Sequence, residues 1–177
     1  SPCGINAVVA VMSYGYNQED AVVISKASVE RGMFRVTYRR VYTAHLRDIS
    51  GEEESFGRVP ETSRRRRHGA DYDLLERDGT VPVGSTVRVG TVLVGVLARS
   101  VEQAGGGRQE EICECRSLFC ESEGRVVKVE VGARMARVHV ERTFQPQVGD
   151  KVMSRHGQKG VVGMVANQED LPCTSQG

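Results

Sequence analysis

The sequence has no apolar run long enough to cross a lipid bilayer. The best early candidate, Ala7 to Met12, stops at Ser13, whereas a spanning helix needs about 20 mostly apolar residues. The sequence also lacks a charged segment followed by an apolar stretch and a small-residue cleavage site, which would indicate a secretory signal. No N-X-S/T glycosylation motif occurs. We therefore expect no membrane partner and no secretion.

The sequence has almost no excess of either charge. It contains 24 Lys and Arg against 23 Asp and Glu, for a formal net charge of +1. Composition alone therefore does not indicate a nucleic-acid-binding protein, and any such function must come from local charge. The five cysteines are an odd number in 177 residues and do not resemble a disulfide framework. We expect a reducing compartment.

Strand-like patterns dominate what is present, and no long helix is predicted. Ile5–Met12 is apolar and rich in β-branched residues, which predicts a buried strand. Ser25–Arg31 predicts a short helix, ended by Gly32 in a left-handed conformation. Further strands, some of them short and joined by tight turns, are predicted within Phe34–Leu46, Val81–Leu97, Arg125–Val131 and Ala136–Val140. The predicted class is mainly β.

Composition shifts to polar residues from Arg47 to Gly79, which predicts a loop outside the core. This segment contains Glu52–Glu54 and the arginine run Arg64–Arg67. The run could contact nucleic-acid phosphates, but a solvated loop partly balanced by the nearby acids is the interpretation we favour. Gly105–Gly107 predicts a flexible connector.

Three cysteines lie close enough in sequence to raise the question of a zinc site. Cys113, Cys115 and Cys120 could supply three ligands, but no fourth ligand follows at a usual spacing. We therefore expect no zinc in this segment.

Two islands of glycine and charge stand beside predicted strands. The acidic island is Gly15–Asp20 and the basic island is Gly149–Gly160. Adjacent carboxylates at Glu19 and Asp20 suit Mg²⁺, a hard cation that prefers oxygen ligands. In the basic island, three cations outweigh one acid, and lysines suit phosphates as compact point charges. These cations are Lys151, Arg155 and Lys159.

Together the islands indicate a metal-assisted nucleotidyl site, because phosphoryl transfer needs cations where negative charge develops. The residues alone leave a simpler alternative open. Glu19 and Asp20 would also fit a solvated turn, and the lysines would also fit a protein surface beside a turn. The basic island is not a Walker A loop, because G-x-x-x-x-G-K-[ST] cannot be written there.

Both islands resemble signatures of the second-largest subunit of multisubunit DNA-directed RNA polymerases, and they occur in the same order. Glu30–Arg35 extends the first signature, and further similarity occurs both between the two islands and after the second one. The further similar stretches are His68–Gly69 to Asp78–Gly79, Gln145–Val148, Glu169–Pro172 and Thr174–Gly177. We expect the chain to be an internal fragment of such a subunit, whether a cleaved piece, a split-gene product or a deliberate truncation.

The resemblance implies a double-psi β-barrel of the hybrid-binding region, interrupted by an inserted, β-rich wall (flap) domain. Residues 1–37 would form the first part of the barrel, residues 38–137 the wall, and residues 138–177 a truncated second part. Met153 and Met164 are expected to fill the barrel core.

The resemblance also assigns roles to the residues of the islands. Asp20, and less directly Glu19, would hold the second, exchangeable Mg²⁺ that arrives with the nucleotide, an ion shared with the largest subunit. Lys151 and Lys159 would face the RNA 3′ end and its phosphates. These four residues are the predicted catalytic residues. Arg155, His156 and Gln158 would approach the nucleic acid, in a loop shaped by Gly149, Gly157 and Gly160.

The implied reaction is attack of the RNA 3′ hydroxyl on the α-phosphate of a nucleoside triphosphate, with release of pyrophosphate. The family's main metal is held by an aspartate triad on the largest subunit, and this sequence contains no such triad, so we expect no activity from the chain alone. Expected partners are the largest and smaller polymerase subunits, template DNA, the RNA transcript and nucleoside triphosphates. The alternative is a non-catalytic module that docks nucleic acid or transcription factors.

The motifs are nearer to the eukaryotic messenger-RNA-synthesising enzyme, or to its relatives in large DNA viruses, than to bacterial versions. Gln158 agrees, because asparagine is expected there in a bacterial sequence. We therefore expect a nuclear location, with a viral factory or virion as the alternative.

Overall fold

The computed structural model of the chain is mainly β, which confirms the predicted class, and it divides into two compact units. It describes residues 4–49, 52–63, 66–104, 107–114 and 117–175. Unit 1 comprises Ser1–Thr37 and Thr143–Gly177, and unit 2 comprises Tyr38–Arg142. No helix in the described part of the chain has the length and apolar character to span a membrane.

The described residues form strands of two to ten residues, one short α-helix and one 3-10 helix. In chain order the elements are β1 (Ala21–Ser25), α1 (Lys26–Glu30), β2 (Val36–His45), β3 (Asp48–Ile49), β4 (Glu52–Phe56), β5 (Thr86–Val87), β6 (Val92–Val94), β7 (Val96–Ala104), β8 (Gly107–Glu114), β9 (Leu118–Phe119), β10 (Gly124–Val131), β11 (Met135–Phe144), β12 (Lys151–Met153), β13 (Lys159–Ala166) and a 3-10 helix (Gln168–Asp170).

Unit 1 is built around a three-stranded sheet in the order β1-β13-β12. β1 runs parallel to β13, and β12 is antiparallel to it. Ser25 caps α1 by accepting a hydrogen bond from the Ser28 amide, and Gly32 adopts a φ of 106° just after the helix, which confirms the predicted helix and its end. The small core buries Ile24, Val29 and Val162.

Unit 2 contains two four-stranded sheets and a two-stranded pair. Their strand orders are β2-β11-β10-β5, β3-β4-β7-β8 and β6-β9. Its core is larger than that of unit 1 and is dominated by valines. The fully buried side chains include Leu75, Val81, Val87, Val92, Leu93, Val94, Val96, Val126 and Val138. The short strands predicted within Val81–Leu97 and the strand predicted over Arg125–Val131 are confirmed.

The prediction of a buried strand over Ile5–Met12 is wrong. The segment has no regular secondary structure, and Val8 and Val11 are 98% and 97% exposed. β-Branched residues favour extended backbone, but a strand also needs a hydrogen-bonding neighbour and a surface to cover its side chains. Among the described residues, no strand pairs with this segment.

The prediction that Arg47–Gly79 lies outside the core is also wrong. The segment contributes β3 and β4, and Val59, Tyr72 and Leu75 are buried. Glu54 is buried as well, and its Oε2 accepts a 2.6 Å hydrogen bond from the Arg47 amide. A buried carboxylate is tolerated when it is hydrogen-bonded in this way. The polar composition of the segment therefore did not exclude a strand there.

Several sequence-based expectations fall partly outside the described residues. Arg64, Arg65, Cys115 and two residues of the Gly105–Gly107 connector lie there, as does the side chain of Cys113. Cys120 is buried, and its thiol donates to the Ser122 carbonyl at 2.8 Å. Within the described ranges, no group of three or more His, Cys, Asp or Glu side chains is placed to hold a metal ion.

Candidate functional site

The acidic island ends in a strained turn. The Ala21 amide donates to the Gln18 carbonyl at 3.3 Å, and the two residues between them, Glu19 and Asp20, have φ values of 50° and 62°. Consecutive left-handed residues make a turn of the I′ type, for which Asn-Gly is the usual sequence. A side chain longer than Asn or Asp costs roughly 1–2 kcal/mol in this conformation. Such strain is found at functional sites, so the turn supports a role for the two carboxylates.

Asn17 holds the chain that leads into this turn. Its Oδ1 accepts a hydrogen bond from the Tyr14 amide at 2.9 Å, and its Nδ2 donates to the Met12 carbonyl at 2.7 Å. The Tyr14 hydroxyl in turn donates to the Asp170 carbonyl in the 3-10 helix. The acidic island is therefore tied to the end of unit 1, and Glu19 and Asp20 project from an anchored backbone.

Two glycines of β13 let the acidic island lie directly on the strand. The Val161 amide donates to the Asp20 carbonyl at 2.8 Å. A Cβ placed on Gly160 would lie 2.8 Å from that carbonyl oxygen, and one on Gly163 would lie well inside 3.0 Å of the Tyr16 carbonyl oxygen. Gly160 was among the glycines identified in the sequence, whereas Gly163 was not. No local sequence pattern predicts that position 163 must be glycine, because the backbone that it contacts, at Tyr16, lies far away in the chain.

The basic island forms a hairpin whose two lysines share one face. In the pairing of β12 with β13, Lys151 lies opposite Val161, and Met153 lies opposite Lys159. Directly opposed residues, and residues two apart on a strand, point to the same side of a sheet. All four side chains are exposed, while Val162 on the other side is buried. Met153 is 70% exposed, so its prediction as a core residue is wrong.

The loop between these strands is closed by Ser154. Its Oγ accepts hydrogen bonds from the His156 amide at 3.2 Å and the Gln158 amide at 3.3 Å, and its own amide donates to the Gln158 carbonyl at 3.0 Å. Gly157 takes the left-handed position, with a φ of 88°. Arg155, His156 and Gln158 are exposed on this loop. Sequence reasoning missed Ser154, whose role comes from local hydrogen bonds.

A second turn, at the start of the hairpin, uses the single acid of the basic island. The Asp150 carboxylate accepts the Gln147 amide at 2.8 Å, and Gly149 has a φ of 97°. This carboxylate is therefore engaged by backbone. Among the described residues, none of the three basic-island cations has a carboxylate within the 4.0 Å of an ion pair. The cations remain available to a ligand.

The parallel pairing of β1 with β13 brings the two islands together. Ala21 lies beside Val161, and Val161 lies beside Lys151 on its other side. The acidic turn therefore enters the sheet next to the basic hairpin. Glu19 and Asp20 are exposed, and their carboxylates have no hydrogen-bond or ion-pair partner in the part of the chain that the structure describes.

The donor set of the acidic turn suits Mg²⁺ only in part. Two exposed carboxylates supply the hard oxygen ligands that this ion prefers, but its six-coordinate shell needs water, substrate phosphates or further protein ligands as well. Within the described ranges no third acidic or histidine side chain joins them. The residues therefore fit a shared metal site and do not form a complete one.

Comparison with known proteins identifies the class of this chain. All of residues 1–177 match the family described as RNA polymerase Rpb2, domain 6. The chain belongs to this family, which confirms the resemblance seen in its two islands.

The relatives are subunits of DNA-directed RNA polymerases. The chain is 38% identical over 187 residues to DNA-directed RNA polymerase II subunit 2 of Arabidopsis thaliana, and 37% identical over 189 residues to DNA-directed RNA polymerase II subunit RPB2 of Schizosaccharomyces pombe. It is 35% identical over 187 residues to DNA-directed RNA polymerase subunit Rpo2 of Sulfolobus acidocaldarius. These matches cover 99% of this chain but only 16% to 17% of each relative, so the chain spans about a sixth of their length.

Proposed function

We propose that this chain supplies one side of the catalytic centre of a multisubunit DNA-directed RNA polymerase. The observation that carries the proposal is the parallel pairing of β1 with β13, which sets the strained acidic turn beside the basic hairpin. A solvated surface would also leave these carboxylates and lysines without partners, so the support comes from the strain of the turn and its position beside the hairpin. The alternative of a non-catalytic docking module gives no reason for the left-handed Glu19 and Asp20.

Each residue of the site has a distinct task in this proposal. Asp20 and Glu19 would hold Mg²⁺ together with ligands from the largest subunit. When bound, that ion would neutralise charge on the triphosphate of the incoming nucleotide. Lys151 and Lys159 project from one face and would bind phosphates at the RNA 3′ end, where negative charge develops. The Ser154-closed loop would hold the lysines in register while the 3′ hydroxyl attacks the α-phosphate and pyrophosphate leaves.

The proposal extends to the fold, the partners and the location. Residues 1–37 and 138–177 would belong to a double-psi β-barrel of the hybrid-binding region, and residues 38–137 would form the wall. The two compact units, whose boundaries along the chain fall between Thr37 and Tyr38 and between Arg142 and Thr143, support a division of this kind. The largest and smaller polymerase subunits, template DNA, the transcript and nucleoside triphosphates are the proposed partners. The nucleus is the proposed location, with a viral factory or virion as the alternative.

The proposal is tested by single-nucleotide addition with assembled polymerase that carries Lys151→Ala or Lys159→Ala. Removal of one preorganised charge-stabilising group typically lowers a rate by about 10²-fold or more, and we expect losses of this order for each variant. Lys26→Ala, which removes an exposed lysine at the start of α1, is the matched control and should leave the rate unchanged. Unchanged rates for both site variants would count against the proposed function.

A further inference from the structure

Two neighbouring arginines in unit 2 are stacked on aromatic rings. The Arg66 guanidinium carbon lies 4.4 Å from the centre of the Tyr72 ring, and that of Arg67 lies 4.9 Å from the centre of the Phe119 ring. The Arg67 amide also donates to the Tyr72 hydroxyl at 2.9 Å. Tyr72 is buried and Phe119 packs against the same core. The two side chains therefore lie against core residues, while Arg67 remains exposed and neither arginine belongs to a helix or strand, as a loop predicts.

The structure positions both guanidinium groups but gives them no counter-charge among its described residues. Among the residues that the structure describes, neither guanidinium has a carboxylate within 4.0 Å. Arg40 provides the contrast, because it stacks on Tyr42 at 5.1 Å and also forms an ion pair with Glu121. An arginine can stack on a ring only to pack against it. When no carboxylate is nearby, however, the stacked guanidinium is held in place with its charge available to an anionic ligand.

Nearby acids do not fill this role. Asp71 and Asp73 follow the arginines closely in the chain and are exposed. The Asp71 carboxylate accepts a hydrogen bond from the Asp73 amide at 3.0 Å, so it closes its own turn. Among the described side chains, the two guanidinium groups therefore have no carboxylate partner, and Arg67 is exposed while Arg66 is half-buried.

We propose that Arg66 and Arg67 form a phosphate-binding site for the backbone of a nucleic-acid strand. A guanidinium presents N–H groups in a fixed fork that matches two phosphate oxygens, and stacking on a ring fixes the plane of that fork beforehand. Preorganisation of this kind lowers the entropy lost on binding. The choice of nucleic acid over an acidic peptide rests on the proposed function, which brings template and transcript to this chain. The site makes no use of the acidic turn or the basic hairpin.

The test is the binding of the full 177-residue chain to a labelled single-stranded RNA of about 16 nucleotides, measured by fluorescence anisotropy across a range of salt concentrations. Each phosphate contact contributes about 0.7 to the slope of log affinity against log salt on a single strand. The double variant Arg66→Gln, Arg67→Gln should therefore show a slope shallower by about 1.4. The double lysine variant should keep the slope but bind several-fold more weakly, because an ammonium cannot replace the fork.

Two controls separate this site from general charge and from packing. Arg40→Gln removes a stacked but ion-paired arginine, and Arg137→Gln removes an exposed one on β11. Both should leave the slope unchanged, and thermal unfolding checks that every variant is folded. The proposal is overturned if the double glutamine variant keeps the full slope, if either control lowers it equally, or if a polyglutamate peptide competes as well as RNA. Binding is measured without nucleotide addition, so this result and the test of the catalytic lysines can each fail alone.

Discussion

Glu19 and Asp20 occupy a backbone conformation that glycine adopts at a much lower free energy. A sequence selected only for stability would place Asn-Gly in this turn. Under the proposed function, the two carboxylates would lower stability in exchange for chemistry, as is common where a site is strained.

Replacement of Glu19 by glycine should reveal this trade. Relief of the left-handed strain contributes roughly 1–2 kcal/mol, and the added flexibility of glycine offsets about 0.5–1 kcal/mol of it. We expect Glu19→Gly to raise the free energy of unfolding of the chain by up to about 1.5 kcal/mol in urea titration, and to lower nucleotide addition in the assembled enzyme. Glu30→Gly, at the end of α1, should destabilise the chain. A destabilised Glu19→Gly protein would contradict the strain argument.

Asp20 offers a sharper test of the charge, because asparagine also tolerates the left-handed conformation. Asp20→Asn should therefore leave unfolding nearly unchanged while lowering single-nucleotide addition by about 10²-fold. The loss should be partly recovered at raised Mg²⁺ concentration, since the remaining ligands bind the ion more weakly. Asp20→Ala should lower the rate at least as much. Glu30→Gln, elsewhere on the surface of unit 1, is the control, and equal behaviour of the two conservative variants would reject the assignment.

At the scale of the element, β13 organises the site. It pairs with β1 on one side and β12 on the other, and its glycines leave room for the backbone of the acidic island. A strand that carries two glycines without side-chain packing is intrinsically weak. The two glycines are nevertheless needed in this central strand, because the carbonyl groups of Asp20 and Tyr16 lie too close to it for a side chain.

Gly163→Ala should therefore displace the acidic island from β13. Overpacking of this kind typically costs about 1–3 kcal/mol, and we expect a loss of this size in urea unfolding together with reduced nucleotide addition. Gly132→Ala is the matched control, because its nearest neighbour, the Met135 carbonyl oxygen, would lie at 3.4 Å. Equal stability of the two variants would contradict the steric reading of β13.

The hairpin of β10 and β11 carries a pH-dependent interaction in unit 2. The Lys128 ammonium, at 2.6 Å, and then the His139 ring, at 3.4 Å, lower the pKa of the Glu130 carboxyl below its ordinary 4.5. A carboxyl whose pKa is lower in the folded state than in the unfolded state stabilises the fold at pH above its unfolded-state pKa. This contribution is lost as the pH falls through the folded-state pKa.

Glu130→Gln should therefore lower Tm at neutral pH, and the difference from the native chain should shrink as pH falls below about 4.5. Scanning calorimetry from neutral to acidic pH measures this. Glu61→Gln removes an exposed carboxylate without a partner among the described residues and should show no such trend. If the difference in Tm between Glu130→Gln and the native chain stayed constant across the pH range, the effect of Glu130 would come from packing and not from its charge.

The elements show which parts of the structure were visible in sequence. The motif residues Glu19, Asp20, Lys151 and Lys159 could be selected from the sequence as members of two islands, because glycine and charge beside a strand form a local signal. The sequence predicted that the islands act together but not how they become adjacent, because that depends on a parallel pairing between distant segments. The strand predicted at Ile5–Met12 failed for the same reason, since propensity is local and a partner strand is not. Glu54 hid a strand because a charged residue gives no apolar signal in the sequence, although its buried carboxylate accepts a hydrogen bond from the Arg47 amide.

At the scale of the whole molecule, the two units differ in how much core they possess. Unit 2 holds the large valine-rich core entirely within Tyr38–Arg142, whereas unit 1 buries few side chains completely. Stability follows the apolar surface that a unit buries. The two units should therefore differ in their ability to fold alone.

The excised segment Tyr38–Arg142 should fold cooperatively and give dispersed amide resonances. Unit 1, with Thr37 joined to Thr143 by a short Gly-Ser linker, should be less stable. The join is feasible because the hydroxyl groups of these two threonines are 3.4 Å apart. An unfolded Tyr38–Arg142 segment beside a well-folded linked unit 1 would reverse this ranking.

The parallel pairing of β1 with β13 also dictates an order of events during synthesis. Ala21 emerges from the ribosome before unit 2, whereas its neighbour Val161 follows only after all of unit 2. Closing so long a loop is entropically unfavourable and slow while the intervening chain is disordered. Once unit 2 has folded, Thr37 and Thr143 are side by side, and the loop left to close is short. The acidic turn and the basic hairpin should thus meet last, so that a chain with a misfolded unit 2 never assembles its site.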